Sequence, residues 1–373
     1  MIKIGIDGNL LCGKRTGMGT VVHNVLPYWK SNKNRMFILF LPEKLADNEM
    51  QVLKNNGIKV RIIGKHNYFS WEQIVLPKAI KKEHLDVLWC PYNTMPVTVK
   101  CKKVVTINDV IFMDSPLKSA PTVYKKLGII YRRFFSTIAA KKSDTIITIS
   151  NYAKNEINRV FKDVSPKIKV IYLGADYSGE KLDENSKNAF FSKSGIKQPY
   201  ILGFGSIDSR KNSFTLIKAY YMLPESVKRK YQLVLFGFRD YKNSDQYTYI
   251  KDNNIENIIL LEYVSDKEKN TLYSESKMFI FPSLSEGFGI PVLEAFANNT
   301  PVITSNTTSI PEVAGDAAIL INPTDAKLIC SAIEKITDDD SVGNKMIALG
   351  KEKLKEFDWK ETADNICRVL MGV

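Results

Sequence analysis

Two glutamates, Glu286 and Glu294, mark the stretch of this chain with the most chemistry in it, FPSLSEGFGIPVLEAFANNTPVITS at 281–305. An apolar run ends at Pro282, a loop of serine and glycine follows, and a helix is expected from near Pro291, since proline suits a first helical turn. The N–H groups of Phe288, Gly289 and Ile290 would then point out of the helix start and could seat a diphosphate. Glu294 is expected in the first turn and Glu286 in the loop before it. A carboxylate repels phosphate, so the two are better suited to accepting from sugar hydroxyls, one from a ribose and one from a transferred hexose. A plainer reading stays open, in which both only stabilise the helix start through its dipole.

Positive charge comes from a second stretch, ILGFGSIDSRKN at 201–212, where a strand runs through Gly203 and Gly205 into a loop bearing Arg210 and Lys211. A guanidinium and an ammonium there could neutralise a departing nucleoside diphosphate, and the glycines would let backbone approach it. A third glycine-rich loop, 7–20, contains Gly8, Gly13, Gly17 and Gly19. Its GNLLCGKR nearly matches a P-loop, but Arg15 stands where Ser or Thr would hold magnesium. A loop whose backbone approaches a donor phosphate fits better.

The elements that would position these residues alternate along the chain. Short apolar runs fall at 2–6, 36–41, 60–63, 87–90, 104–107, 145–149 and 168–172, then at 200–204, 232–236, 258–261, 278–281, 302–304 and 317–321, with helical patterns between them, among others at 19–31, 71–82, 123–142 and 151–161. Continuous apolar runs imply strands buried on both faces, and intervening helices imply parallel crossovers. The fold class expected is α/β, with two doubly wound Rossmann-like domains facing across a cleft. The polar segment 176–198 is read as the linker between domains 1–175 and 199–358, and 359–373 as a final helix.

Composition narrows the setting. Over 373 residues, 53 Lys and Arg against 40 Asp and Glu give a net charge of +13, which favours anionic partners. Five scattered cysteines fit reduced thiols in the cytosol, and three distant histidines offer no metal-ligand spacing. The start has no sustained apolar run, and no stretch approaches the roughly 20 apolar residues of a membrane span. The DDD at 338–340 follows a helical pattern and reads as a solvated turn rather than a metal site. In 122–142, Val123, Leu127, Ile130, Phe134 and Ile138 share one helical stripe, with Lys125, Lys126, Arg132 and Arg133 on the other side. Either the stripe packs into the core as an ordinary crossover, or the helix lies on an anionic surface.

Taken together, TGMG at 16–19, GSIDSRKN at 205–212, PSLSEGFGIPVLEA at 282–295 and TPVITSNTTSIPEVAGDAA at 300–318 resemble the family-4 glycosyltransferases, retaining GT-B enzymes of bacterial surface polysaccharide synthesis. The resemblance extends through WEQIVLPKAI at 71–80 and FDWKETA at 357–363, and is nearest the mannosyltransferase-like branch. It implies transfer of a hexose from a sugar nucleotide, GDP-mannose-like or else a UDP- or dTDP-sugar, to a glycan or lipid-linked acceptor. It assigns Glu286 to hydroxyls of the donor hexose, Glu294 to the ribose, and Arg210 and Lys211 to the diphosphate, with Gly17 and Gly19 approaching it. Tyr263 and Val264 would lie near the base, and the final helix would cross back onto the first domain.

No metal or other cofactor is implied, and no nucleic-acid partner; the setting would be cytoplasmic, on the inner face of a membrane where lipid-linked acceptors are used. One departure stands out. The family usually has His-Asp after the strand ending at Ile107, whereas this chain has Asn108-Asp109. Asparagine can bond a donor sugar but cannot carry a proton. A retaining front-side reaction needs no such carrier, because the leaving phosphate takes the acceptor proton, and Asp109 would orient the acceptor or cap a turn. The other readings are a GT-B enzyme of different chemistry, such as a sugar-nucleotide epimerase, and a non-catalytic basic binding protein.

Overall fold

The computed structural model describes the chain except for residues 14–16, 115–121, 176–178, 198 and 373, and of Tyr124 and Lys125 only the backbone. Lys14, Arg15 and Thr16 of the glycine loop and the Lys125 side chain therefore lie outside the described residues. Two compact units result, Met1–Gly174 with Asp358–Val373, and Ala175–Phe357.

In the first unit, seven strands form one parallel sheet: β1 (Ile2–Asp7), β2 (Arg35–Leu41), β3 (Lys59–Ile62), β4 (Val87–Cys90), β5 (Lys102–Thr106), β6 (Thr145–Thr148) and β7 (Ile168–Val170). Their order is β3-β2-β1-β4-β5-β6-β7. The runs Phe37–Leu41 and Val87–Cys90 are buried throughout, as parallel strands covered on both faces must be. One apolar cluster, with Ile4, Ile6, Phe37 and Trp89, lies on one face; another, with Ile38, Phe40, Leu88 and Val105, lies on the other. The final helix, Trp359–Met371, belongs to the first cluster through Ala363, Ile366, Cys367 and Leu370. Trp29 Nε1 donates to the Ala363 carbonyl at 2.9 Å, and Thr362 Oγ1 to the Tyr172 carbonyl at 2.8 Å.

The second unit repeats the plan with six parallel strands: β8 (Tyr200–Phe204), β9 (Gln232–Phe236), β10 (Ile258–Leu261), β11 (Met278–Phe281), β12 (Val302–Ser305) and β13 (Ala318–Ile321), in the order β10-β9-β8-β11-β12-β13. Both sheets reverse direction of growth at an internal pair, β1 beside β4 and β8 beside β11. At such a reversal the crossovers leave toward opposite faces, so the carboxyl ends of the pair stay uncovered.

Two expectations change. The segment 176–198, read as a linker, holds a helix, Glu184–Ser194, started by the Asp183 carboxylate accepting from Ser186 N–H and ended by Gly195 at φ 78°. Its polar composition reflects an exposed helix whose Phe191 ring stacks edge-on against Tyr200 at 5.9 Å. The pattern at 71–82 is one turn longer and not uniformly α-helical: Tyr68–Ser70 leads into a π-helical turn, Trp71–Val75, before Leu76–Glu83. For the helix Val123–Lys142, where two readings were open, burial separates them. Val123, Leu127, Ile130 and Phe134 are between 48% and 73% exposed, so most of the stripe faces solvent instead of the core. The helix is anchored instead by Ser136, Ala139 and Ala140, all fully buried.

The glycines of the first loop differ in their reasons. A Cβ on Gly19 would stand 2.3 Å from the Leu10 carbonyl oxygen, so the helix Gly17–Val25 can only approach that backbone with hydrogen at this position. A Cβ on Gly17 meets nothing within 4 Å. Gly19→Ala should therefore destabilise the protein by about 1–3 kcal/mol in urea unfolding. Gly17→Ala should be neutral or stabilising by up to about 1 kcal/mol. Equal effects would refute this packing account.

Candidate functional site

In the second unit the loops after β8 and β11 meet at the reversal point. The β8 loop ends in a 3₁₀ turn, Ser209–Lys211, opened by Asp208, whose carboxylate accepts from the Arg210 N–H at 3.0 Å. Asn212 follows with φ 55°, and its side-chain amide donates to the Pro282 carbonyl at 3.0 Å and the Pro323 carbonyl at 2.6 Å. The Arg210 carbonyl accepts from the Leu284 N–H at 2.7 Å, and Ser283 Oγ lies 2.9 Å from it. The asparagine of RKN is thus a clamp that fixes the basic pair against the β11 loop.

Glu286 is brought to that pair. Its Oε1 accepts from Lys211 Nζ at 2.7 Å and from Ser283 Oγ at 2.6 Å, and both members of the ion pair are largely buried. The Lys211 ammonium also lies over the rings of Phe204 and Phe281, 5.6 and 5.4 Å from their centroids. The Glu286 backbone is held in turn: its N–H donates to Thr308 Oγ1 at 3.2 Å, and Ser309 Oγ lies 2.8 Å from the Phe288 carbonyl and 3.0 Å from that of Glu286. Thr308 and Ser309 belong to TSNTTSIPEVAG, quoted above without a role; the two hydroxyls following β12 were the available signal. Arg210 turns to its own loop, with Nη2 2.6 Å from Asp208 Oδ2.

The helix after this loop is Ile290–Ala297, with Gly289 as its N-cap at φ 129°. No side chain caps it, so Phe288, Gly289 and Ile290 stand at a helix start as expected. Glu294 does not lie in the first turn, which holds no acid, because the helix begins one residue earlier than Pro291 and Glu294 falls in the second turn. The dipole explanation for Glu294 falls with that placement. Its carboxylate instead accepts from Lys269 Nζ at 2.7 Å and from Tyr273 Oη at 3.2 Å, both on the helix Asp266–Glu275. Burial pulls the Lys269 ammonium down, but Glu294 beside it carries it above its ordinary value. Neither partner was picked out from sequence. Tyr263 is exposed and Val264 half-buried in the segment that joins β10 to that helix, opened by the Ser265 cap.

Gly205 has a packing reason of its own beside the one expected. A Cβ there would stand 2.7 Å from Phe238 Cβ, so packing against the β9 loop already excludes a side chain. In the first unit, the Asn108 N–H donates to Asn93 Oδ1 at 2.9 Å, and Asp109 Oδ1 accepts from the Ile111 N–H at 3.1 Å, capping the short helix Ile111–Asp114. Among the described residues no group of three or more His, Cys, Asp or Glu could hold a metal ion.

Known sequences match both units of the chain. The family described as glycosyl transferases group 1 matches residues 186–353, and glycosyltransferase family 4 matches residues 15–178. The O-antigen chain mannosyltransferase RfbU of Salmonella typhimurium is 33% identical over 270 residues, covering 72% of this chain and 69% of RfbU. The chain belongs to the GT-B glycosyltransferases of group 1 and family 4. O-antigen chain mannosyltransferase B of Escherichia coli is 30% identical over 253 residues, 67% of this chain and 66% of that protein. The serotype-specific mannosyltransferase WbdA of Escherichia coli is 28% identical, and the match spans only 29% of its length.

Solved structures share the fold over its full length. HepE of Anabaena, crystallised with UDP and glucose, superposes with a TM-score of 0.73 at 16% identity, covering 100% of both chains. WaaG, a glycosyltransferase involved in lipopolysaccharide biosynthesis, superposes with a TM-score of 0.71 at 15% identity over 99% of this chain and 100% of its own. The two parallel sheets are therefore those of the GT-B fold.

Gly205→Ala should lower stability by about 1–3 kcal/mol in urea unfolding, with nucleotide affinity of the folded protein unchanged. Unchanged stability with weakened nucleotide binding would return Gly205 to a phosphate contact.

Proposed function

We propose that this chain transfers a hexose from a sugar nucleotide to a growing surface glycan, with a mannose donor favoured by the names of its relatives. The observation that carries the reading is the meeting of Glu286, Lys211 and the Arg210 loop at the reversal point of the second sheet. Lys211 has three N–H donors and gives one to Glu286, so the same ammonium can serve a phosphate oxygen while steadying the carboxylate. Glu286 would accept from hydroxyls of the donor hexose, and Glu294 from the ribose. The N–H groups at Phe288, Gly289 and Ile290 would take the diphosphate with Arg210 and Lys211, and Tyr263 and Val264 would border the base.

In the reaction, the bond from the anomeric carbon to the phosphate oxygen breaks and one to the acceptor oxygen forms. The leaving phosphate takes the acceptor's proton, so the front-side, retaining course needs no protein base, which accommodates Asn108. Arg210 and Lys211 supply the charge a metal would otherwise bring. With an excess of chelator present, the parent should transfer, Glu286→Ala should not, and Glu294→Ala should bind donor about 1–3 kcal/mol more weakly. Full activity in Glu286→Ala sinks the assignment, and activity restored only by magnesium or manganese sinks the metal-free course.

The acceptor's setting follows from helix 123–142. Among the described residues no helix is long and apolar enough to cross a membrane. An exposed row of Val123, Leu127, Ile130 and Phe134, joined by exposed Phe69 and flanked by exposed Lys126 and Arg132, instead suits a surface of anionic lipid. The apolar side would enter the bilayer boundary and the cations would meet headgroups, where a lipid-linked acceptor would be presented. Leu127→Ser with Phe134→Ser should reduce binding to anionic vesicles steeply and leave donor affinity in solution intact. Vesicle binding equal to the parent's would reduce the row to a bare crossover helix.

A further inference from the structure

The carboxyl rim of the first sheet carries three polar side chains that are more than nine-tenths buried yet incompletely bonded: Asp7 at 3%, Asn93 at 4% and Asn108 at 9% exposure. Asp7 ends β1, and Asn93 and Asn108 follow β4 and β5; the three strands are neighbours in the sheet, and β1 beside β4 is where its order reverses. Asp7 takes both of its donors on Oδ1, Trp71 Nε1 at 2.9 Å and the Asn9 N–H at 3.0 Å; no described residue donates to Oδ2. Asn93 Oδ1 is used by the Asn108 N–H, which leaves the Asn93 amino group, and the Asn108 side-chain amide bonds to no described residue. Fully enclosed side-chain atoms without a partner lie at other residues, Tyr92, Ser136, Ser143, Thr148, Thr307 and Trp359, so the unused atoms of Asp7, Asn93 and Asn108 remain open to a ligand.

The acid at position 7 needs a reason of its own. An asparagine would accept the Trp71 and Asn9 bonds equally well. Burial, opposed by those bonds and aided by the charge of Glu72, pushes the Asp7 carboxyl from 3.8 up to about 7. Among the described residues the titratable groups facing it are Glu72, Tyr68, Tyr131, Tyr92 and Cys90, none of them a cation. A carboxyl here works against folding at neutral pH, and buried groups kept at such a cost mark functional sites.

We propose that Asp7, with the side-chain amides of Asn93 and Asn108, binds hydroxyl groups of a neutral sugar in the first unit, Asp7 accepting through Oδ2 and Asn93 donating. A carboxylate set among amides offers both acceptors and donors, as hydroxyls require, and repels phosphate. Glu72, 1% exposed, is a positioning residue beside it: its carboxylate accepts from the Thr94 and Tyr131 hydroxyls and from Gln73 Nε2 at 2.7 Å. The π-helical turn Trp71–Val75 places Trp71 and Glu72, consecutive in the chain, both in the interior, which gives WEQ at 71–73 its purpose. The inference rests on the glycosyl-transfer reading, and the sugar is either the acceptor's terminal residue or the donor's hexose.

Asp7→Asn tests it cleanly, because it keeps the Oδ1 acceptor and turns only the unused oxygen into a donor. A buried acid with a raised value stabilises the fold only at low pH, so the parent should lose stability as pH rises from 3.8 to about 7. The variant should be as stable or more stable at pH 7, with that slope flattened, while transfer falls about tenfold or more. Asn108→Ala, which removes no bond within the described protein from its side chain, should fold normally and show the same loss. A raised acceptor KM with unchanged donor affinity identifies the acceptor sugar. Loss of the extra affinity of sugar nucleotide over bare nucleoside diphosphate identifies the donor hexose. Parent-like KM for both substrates in both variants overturns the proposal. Should the parent itself transfer nothing, the glycosyl-transfer reading fails separately, and binding of methyl α-mannoside to parent but not to Asp7→Asn, followed by NMR, still decides the site.

Discussion

A parallel sheet covered on both faces must send every strand end, with its unspent backbone groups, to the rim. Where the strand order runs on in one direction, the crossover from one strand covers the end of the next. Where it reverses, two neighbouring ends are left by crossovers that depart to opposite faces, and nothing covers them. Each unit of this protein has one such place, β1 beside β4 and β8 beside β11. The polar residues of both sites gather there because the rest of each sheet is apolar and enclosed, as the buried runs of β2 and β11 show.

The second unit uses its open place by tying two loops into one body. The Leu284 N–H donates to the Arg210 carbonyl, and Asn212 reaches across to Pro282 and Pro323. The resulting scaffold sets Lys211 against Glu286 without relying on either charged side chain to hold the loops together. That arrangement separates positioning from chemistry: neutral hydrogen bonds fix the backbone, and the charged groups remain available to oxygen atoms of a substrate. Glu294 is supported separately, from Lys269 and Tyr273 on a neighbouring helix.

Membership in the GT-B family accounts for the second site more fully than for the first. Asn108 stands where the family pattern has histidine, and its backbone is bonded to Asn93 across neighbouring strand ends. This replacement leaves the rim of the first unit with amides and carboxyls where the family pattern has an imidazole, a set that offers a hydroxyl both donors and acceptors. The exposed row on helix 123–142 connects to the same region, since Tyr131 of that helix donates to Glu72.

Much was legible in the residues alone. Apolar runs marked the thirteen strands of the two sheets because strands buried on both faces leave no choice of residue type. The loop residues Arg210, Lys211 and Glu286 stood out because they sit on glycine-bearing loops at the ends of apolar runs, where open α/β sheets bind ligands. Sequence could not say that Lys211 and Glu286 would meet, since 75 positions separate them and only the pairing of β8 with β11 closes that distance. Nor could it orient helix 123–142, because a period of 3.6 shows that one side is apolar but not which side the sheet covers; small residues at Ser136, Ala139 and Ala140 decided that. Neither Asp7 nor Glu72 was singled out from sequence. Their burial, and the unused oxygen on Asp7, come from the convergence of β1, β4 and a π-helical turn, a contact that no local pattern encodes.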